Sequence, residues 1–265
     1  MASSLSVSIV VYDLNAELLR ATIDSLNSAI EETVNKELVS QWSVTIVDNG
    51  NNDSLIETLT DQNVQFIHNH QNLGYGAAHN QVIDSAVSDY HLILNPDVLI
   101  DNHCLTEAIQ LLMIDRETVM IGPIGHSPEG EPAFLCKRFP SVLDLFLRGL
   151  SLEPLNRLFR QRLAHYEYQD LDPVLAAEVE LVSGCFMFCR TKELQNAGGF
   201  DDRYFLYFED FDLSLRLSKR GKVKYAPAMK IIHYGGNTSK KGRAHIFHFC
   251  RSAISFYRLH GWRWV

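Results

Sequence analysis

Long apolar runs are absent: none reaches the ~18 residues that a bilayer-crossing helix needs. The stretch Met1–Asn15 has no basic region ahead of its short apolar core, so no secretory signal is expected either. Cysteine is scarce: Cys104, Cys136, Cys185, Cys189 and Cys250 are odd in number and contain no C-x-x-C pair. That argues against a disulfide framework and for reduced, mostly buried thiols in a cytosolic setting. No G-x-G-x-x-G follows the first apolar segment and no G-x-x-x-x-G-K-[ST] occurs, which disfavours a Rossmann dinucleotide site and a P-loop. Internal repeats and low-complexity tracts are missing as well. Acidic residues are absent from one end: residues 213–265 hold twelve Lys or Arg and no Asp or Glu. The rest of the chain carries the other twelve bases against all 32 acids, within a net charge of −8. A basic C-terminal fifth on an acidic body points to an anionic partner or to internal charge compensation.

What is present is an ordinary globular composition, 46% hydrophobic and 21% charged over 265 residues. Apolar segments at Leu5–Val11, Val44–Val47, Val64–His68 and His91–Leu94 read as buried strands. Between and after them, helical spacing joins Leu14, Leu18, Thr22, Leu26 and Ile30, with Asp13 or Asn15 as cap. Helices are also expected at 54–60, over Ala78, Val82, Ile83 and Ala86, and over Leu105, Ile109 and Leu112. This alternation predicts an α/β fold, a mostly parallel sheet with helices on both faces. The second half is less regular. Residues 137–165 mix basic and apolar residues, predicting a helical excursion or an amphipathic segment lying on a membrane. Glu180–Phe188 reads as a strand, and a helix is expected from Glu209 to about Arg220-Gly221.

In parallel sheets, ligands sit beyond the carboxyl ends of the strands. There this chain places Tyr12-Asp13, Asp48-Asn49, Asn69–Asn72 and Asn95-Pro96-Asp97. Helix capping explains Asp53 and Asp101 more readily than Asp48 or Asp97. Gly74 and Gly76 permit either a tight turn or a close backbone approach to a ligand. Glu209-Asp210 opens a helix among Tyr204, Phe205, Tyr207, Phe208 and Phe211. The helix N-terminus favours the anion while aromatic burial raises its pKa, a setting suited to a general base. His233, paired in space with Asp97, would complete an oxygen-and-imidazole site for Mg²⁺ or Mn²⁺.

Five segments occur in a fixed order: Ser8–Tyr12, Ile46–Asn49, Asn72-Leu73-Gly74-Tyr75-Gly76 with Asn80, Leu94–Asp97, and Gly199-Phe200-Asp201 through Glu209-Asp210. In that order the chain resembles the family 2 glycosyltransferases of GT-A fold, and more narrowly their bacterial rhamnosyltransferase-like branch. Lys137–Ser141 is similar to that branch too. The resemblance implies one domain over 1–265, with a nucleotide-sugar half at 1–100. An acceptor and catalytic-base half would follow at 101–265, ending in the basic segment. It implies that Tyr12 and Asp48 line the base pocket, with Asp48 accepting from a pyrimidine ring N–H. Asn72, Gly74 and Asn80 would face the ribose and diphosphate or shape the loop that does. Asn95 and Asp97 stand where the family has its D-x-D motif, Asn95 replacing the first acid. Asp97 would hold a divalent metal with His233 as a further ligand. Asp210 would be the base and Glu209 its neighbour toward the acceptor. The implied activity is inverting transfer of a sugar, L-rhamnose from dTDP-L-rhamnose, to a polysaccharide or lipid-linked glycan. Arg216, Lys240, Lys241 and Arg243 would help with phosphates. Arg251, Arg258 and Arg263, interleaved with Phe256, Tyr257, Trp262 and Trp264, would meet a membrane. The implied place is the cytosol, at the inner face of a bacterial plasma membrane, with no nucleic-acid partner. The alternatives are another donor such as a UDP-hexose, and a non-catalytic module that binds anionic surfaces.

Overall fold

Strand β1 (Ser3–Val11) is buried at every position from Leu5 onward, as expected of a strand inside a parallel sheet with both faces covered. It pairs in parallel with β2 (Val39–Asp48) on one side and β4 (Tyr90–Leu94) on the other. Strand β3 (Val64–His68) adds in parallel outside β2. The structure is a computed structural model that describes residues 2–13, 15–50, 52, 64–150, 153–235 and 242–265. The helix expected at 54–60 and the proposed cap Asp53 lie outside the described residues.

Helix α1 (Ala16–Asn35) starts at Asn15, whose side chain accepts the Leu18 N–H at 3.1 Å. Its buried stripe is Leu19, Thr22, Ile23, Leu26, Ala29, Ile30 and Thr33. Of the expected stripe, Thr22, Leu26 and Ile30 are buried, Leu18 is half-buried, and Leu14 lies outside the described residues. Helix α2 (Tyr75–Ile83) and helix α3 (Cys104–Ile114) follow β3 and β4 in turn. Between β4 and α3 lies β5 (Val98–Ile100), a three-residue strand too short to read from its sequence pattern.

The second half extends the same sheet with mixed pairing. It contributes β6 (Thr118–His126), β11 (Phe186–Arg190) and β12 (Lys222–His233), with the short strands β7 (Pro132–Ala133) and β9 (Ala177–Glu178) at their sides. The order across the sheet is β3-β2-β1-β4-β11-β6-β12-β5. β11 runs antiparallel to both β4 and β6, while β12 runs parallel to β6. A separate two-stranded ribbon joins β8 (Cys136–Lys137) to β10 (Leu181–Val182). The strand expected over 180–188 is thus two strands, broken at Ser183-Gly184. After Lys137 of β8, the described residues of the segment 137–165 include three helices: α4 (Val142–Leu150), α5 (Glu153–Leu158) and α6 (Arg160–Tyr166). Helices α7 (Thr191–Asn196), α8 (Glu209–Ser218) and α9 (Arg243–His260) complete the described elements.

The sheet separates two apolar layers, and β11 shows how. Phe186 and Phe188 join α1 and α3 residues on one face, while Met187 and Cys189 meet Leu213 and Leu217 of α8 on the other. A third cluster, Phe139, Tyr204, Phe208, Phe256 and Tyr257, attaches α9 to the body. Four cysteines are buried, whereas Cys250, on the outer side of α9, is exposed. The core also holds a polar chain: Ser8 Oγ lies 2.7 Å from His79 Nδ1 and 2.9 Å from His91 Nε2, and Ser6 Oγ lies 2.7 Å from His91 Nδ1. Burial depresses both imidazoles, His91 to about 3 and His79 well below its ordinary value, so both are neutral.

Candidate active site

Two strand pairings bring expected site residues together beyond the carboxyl end of β4. The end of β12 pairs antiparallel with β5, setting His233 opposite Val98 and so beside Asp97. Asp97 Oδ1 is shielded from solvent, has no hydrogen-bond partner and lies 3.5 Å from His233 Nε2. A methyl group added at Gly235 would collide with His233 Nε2 and come within 2.9 Å of Asp97 Oδ2. An unsatisfied carboxylate oxygen next to an imidazole nitrogen, in a cradle that only glycine leaves open, fits a divalent cation. Among the described residues no cluster of three or more His, Cys, Asp or Glu could hold a metal. Two protein ligands leave the remaining positions to substrate phosphate and water, as is usual for Mg²⁺-type sites.

The second pairing, β11 with β4, brings the Ser183-Gly184 break against Asn95, whose N–H donates to the Cys185 carbonyl at 2.9 Å. Tyr75, at the start of α2, reaches into this junction. Its hydroxyl donates to the Gly184 carbonyl at 2.6 Å and lies 3.1 Å from the Asn95 amide. The single hydroxyl proton thus faces two acceptors, the Gly184 carbonyl at the shorter distance and Asn95 Oδ1 at the longer. The Gly184 N–H donates to Asp210 Oδ2 at 2.9 Å, and Asp210 Oδ1 accepts the Phe211 N–H at 2.9 Å. A continuous path therefore runs from Asn95 through Tyr75 and Gly184 to Asp210. Asp97 and Asp210 act on the same groups: burial first, and then both carboxylates, push the Cys185 thiol up to about 12. Tyr75 is raised well above its ordinary value by burial, with Glu209, Asp210 and Asp97 adding to it.

Glu209 and Asp210 form the first turn of α8. They follow Tyr207 and Phe208, which hold left-handed φ values of 70° and 68°. Such conformations in non-glycine residues cost on the order of 1–3 kcal/mol each, and packing must hold them. Here Phe208 is locked between Phe249 and Phe256, with ring centroids 5.2 and 5.3 Å away. Glu209 is buried, its Oε2 has no hydrogen-bond partner, and burial followed by repulsion from Asp210 raises its pKa well above the carboxylate range. Asp210 is half-buried and raised too, by burial, but its two backbone N–H donors oppose the rise. The acid form suits Glu209, whose buried Oε2 has no partner, and the anion suits Asp210, held by two backbone N–H groups.

The sequence model of "Glycosyl transferase family 2" matches residues 6–191. The chain belongs to glycosyl transferase family 2. The transferase is 27% identical over 281 residues to "N-acetylglucosaminyl-diphospho-decaprenol L-rhamnosyltransferase" of Mycobacterium tuberculosis, covering 99% of this chain and 87% of that protein. It is 28% identical over 182 residues to "Rhamnosyltransferase WbbL" of Escherichia coli K12, covering 63% of each chain. Among solved structures it resembles "GalNAc-T7 with UDP, GalNAc and Mn2+" at TM-score 0.62 and 15% identity, over 88% of this chain and 44% of that one. It also resembles "Mannosyltransferase PcManGT from Pyrobaculum calidifontis in complex with GDP-Man and Mn2+", at TM-score 0.61 and 13% identity, over 97% of this chain and 65% of that one. These neighbours establish the GT-A fold. Membership of the family sets aside the reading as a non-catalytic binding module.

Around the expected base pocket several polar side chains are bonded within the chain. Tyr12 is 62% exposed at the end of β1 and free to face a ligand. Asp48 is buried, and its carboxylate accepts the Gly50 N–H (3.0 Å), the Asn52 N–H (2.9 Å) and the Asn52 side-chain amide (2.8 Å). It thereby ties down its own loop. Asn72 Oδ1 accepts from Asn49 Nδ2 and from the Gly74 N–H, both at 2.9 Å. At Gly74 (φ 88°) an added Cβ would come within 2.5 Å of the Phe205 carbonyl oxygen, so the position is closed to any side chain. The Asn80 amide makes two 2.8 Å bonds to the backbone of Phe200 and so holds the Gly199-Phe200 turn. Of its two expected roles, loop shaping is the one this bonding serves. Arg216 is engaged within the fold: its Nε is paired at 2.7 Å with buried Asp212, Nη1 donates to the Ala197 carbonyl, and Nη2 is buried without a hydrogen-bond partner. Lys240, Lys241 and the side chain of Arg243 lie outside the described residues. Tyr75 and Gly184 were not singled out from sequence, because their joint role rests on a contact 109 residues long.

Proposed function

We propose that this glycosyltransferase moves L-rhamnose from dTDP-L-rhamnose onto a hydroxyl of a lipid-linked glycan, inverting C1, with Asp210 as the base. The observation carrying this reading is the Asp210 carboxylate, held by two backbone N–H groups and raised by burial, in the same electrostatic neighbourhood as Asp97. The name of the M. tuberculosis relative supports a sugar-diphospho-lipid as acceptor. The Mn²⁺ in the names of the two structural neighbours supports a divalent metal.

Asp97 Oδ1 and His233 Nε2 would hold that metal, which when bound offsets charge on the leaving nucleoside diphosphate. Asp210 accepts the proton of the acceptor hydroxyl as that oxygen attacks C1 from the face opposite the diphosphate. Each carboxylate oxygen already accepts one N–H, which fixes its orientation and leaves a further lone pair for the substrate. Glu209, kept neutral by burial, leaves the pair's negative charge on Asp210 and lines the acceptor side. No second carboxylate has a nucleophile's task in this scheme, so a single displacement with inversion follows. Among the described residues no helix is long and apolar enough to cross a membrane. A bilayer-borne acceptor would therefore be met at the membrane surface.

A thermal-shift series of nucleotide sugars with and without Mn²⁺ tests the donor, since the shift follows ligand occupancy. The largest metal-dependent rise is expected with dTDP-L-rhamnose. A larger rise with a UDP-hexose would replace that donor.

A further inference from the structure

Helix α9 has two faces. The inner one fastens the loop ahead of the candidate base: His245 Nδ1 lies 3.0 Å from the Tyr207 hydroxyl, and Ser252 Oγ donates to the Leu206 carbonyl at 2.9 Å. Near its end, Tyr257 donates to the Pro140 carbonyl at 3.2 Å, and His260 Nε2 lies 2.8 Å from Asp212 Oδ1. The outer face repeats at helical spacing as Phe247, Arg251, Ile254 and Arg258, all exposed. The chain then leaves the helix as a second exposed apolar element. Trp262 stacks on Tyr257 (5.0 Å) and on Trp264 (5.2 Å), and Trp264 is still 65% exposed. The tail is fixed in place, because the carbonyls of Arg263 and Trp264 accept the N–H groups of Val142 and Leu143 at 2.8 and 3.3 Å. Those are the first residues of α4, whose following turns expose Phe146 and Leu150.

We propose that α9's outer face and the tryptophan tail form a docking surface for an anionic lipid bilayer. Exposed Phe, Ile and Trp side chains interleaved with arginines suit the interfacial region, where apolar groups enter the acyl boundary and guanidiniums meet phosphates. Charge selects this occupant: from the start of α9 to the end of the tail, residues 243–265 carry Arg243, Arg251, Arg258 and Arg263 and no acid, and Arg251 and Arg258 stand exposed on the outer face, which favours phosphate-rich headgroups. This surface stands independently of the sugar and acceptor assigned above. Because its inner face holds Leu206–Phe208, docking through α9 would present the Glu209-Asp210 turn near the membrane.

The test is co-sedimentation of the full chain with vesicles of phosphatidylcholine alone or mixed with phosphatidylglycerol, at low and high salt. Wild type is expected to pellet with the anionic vesicles and to be released by salt. Arg251→Gln/Arg258→Gln is expected to weaken partitioning about 30-fold, near fivefold per arginine, with an unchanged melting temperature. Phe247→Ser/Trp264→Ala is expected to weaken it as well. Asp210→Asn should bind like wild type, so that docking and sugar transfer fail separately. The proposal is overturned if wild type stays in the supernatant with anionic vesicles, or if both double variants pellet like wild type. It is equally overturned if the face proves to be a dimer contact, seen as monomer formation on Arg251→Gln/Arg258→Gln without lipid, or if DNA or RNA competes the protein off the vesicles.

Discussion

Replacing Tyr75 by Phe keeps the ring and removes one oxygen, which makes it a sharp probe of the path between the metal side and the base. The ring is packed by His79 (4.5 Å) and Phe200 (5.7 Å), so the fold around it should persist. What disappears is the 2.6 Å bond to the Gly184 carbonyl and the partner of the Asn95 amide. A buried acceptor left unsatisfied costs about 1–3 kcal/mol. For a chain of this size each kcal/mol lowers Tm by roughly 2–4 °C. Because the same glycine donates to Asp210 Oδ2, loosening it should misplace the base. The expected kinetic signature is a fall in kcat with KM for the donor nearly unchanged, read in a radiolabelled sugar-transfer assay beside a calorimetric melt. If Tyr75→Phe leaves both Tm and kcat at wild-type values, the coupling of Asn95 to Asp210 through this hydroxyl is wrong.

Other consequences follow from the same geometry. Asp210→Asn should lower kcat on the order of 10²–10⁴-fold with intact donor binding, the range of a lost general base, measured by single-turnover transfer. Because burial raises the Asp210 pKa, the acid limb of kcat should lie above the ordinary carboxylate range near 4, and activity should fall as pH drops through it. Gly235→Ala, whose methyl meets His233 Nε2 and Asp97 Oδ2, should weaken Mn²⁺-dependent nucleotide binding in calorimetry while leaving metal-free binding unchanged. Burial holds Glu209 above its unfolded pKa, so its ionisation opposes folding as pH rises past the unfolded value. Glu209→Gln should then raise Tm at pH 8, with the gain vanishing toward pH 4. His91 works in the opposite direction: its folded pKa of about 3 against about 6.5 unfolded means stability is full above pH 6.5 and lost below it. The loss at pH 5 should be about 2 kcal/mol, and His91→Gln should flatten that slope in melts from pH 8 to 5.

The first half was largely legible because buried parallel strands are continuous apolar runs, and Val64–His68 coincides with its strand to the residue. Features set by distant pairing were not legible. Val98–Ile100 is too short to announce itself, yet its pairing with β12 is what sets Asp97 beside His233. The break at Ser183-Gly184 hides inside an apolar stretch, and only the fold reveals that Gly184 there meets both Tyr75 and Asp210. Asp48 shows a second use that the strand-end pattern does not announce: its carboxylate makes an Asx-type turn onto Gly50 and Asn52. The aromatic frame of Glu209-Asp210 was visible in sequence, whereas the left-handed pair Tyr207-Phe208 was not, since no glycine marks it.

The central claim is that Asp210 takes the proton from the acceptor while the Asp97 side carries the diphosphate. Its most direct measurement is transfer from labelled dTDP-L-rhamnose to an N-acetylglucosaminyl-diphospho-lipid by wild type and by Asp210→Asn, with donor affinity recorded in parallel. Product with the opposite anomeric configuration from wild type, and none from a variant that still binds donor, is the predicted outcome. Product formed by Asp210→Asn at the wild-type rate, or with retained configuration, would contradict it.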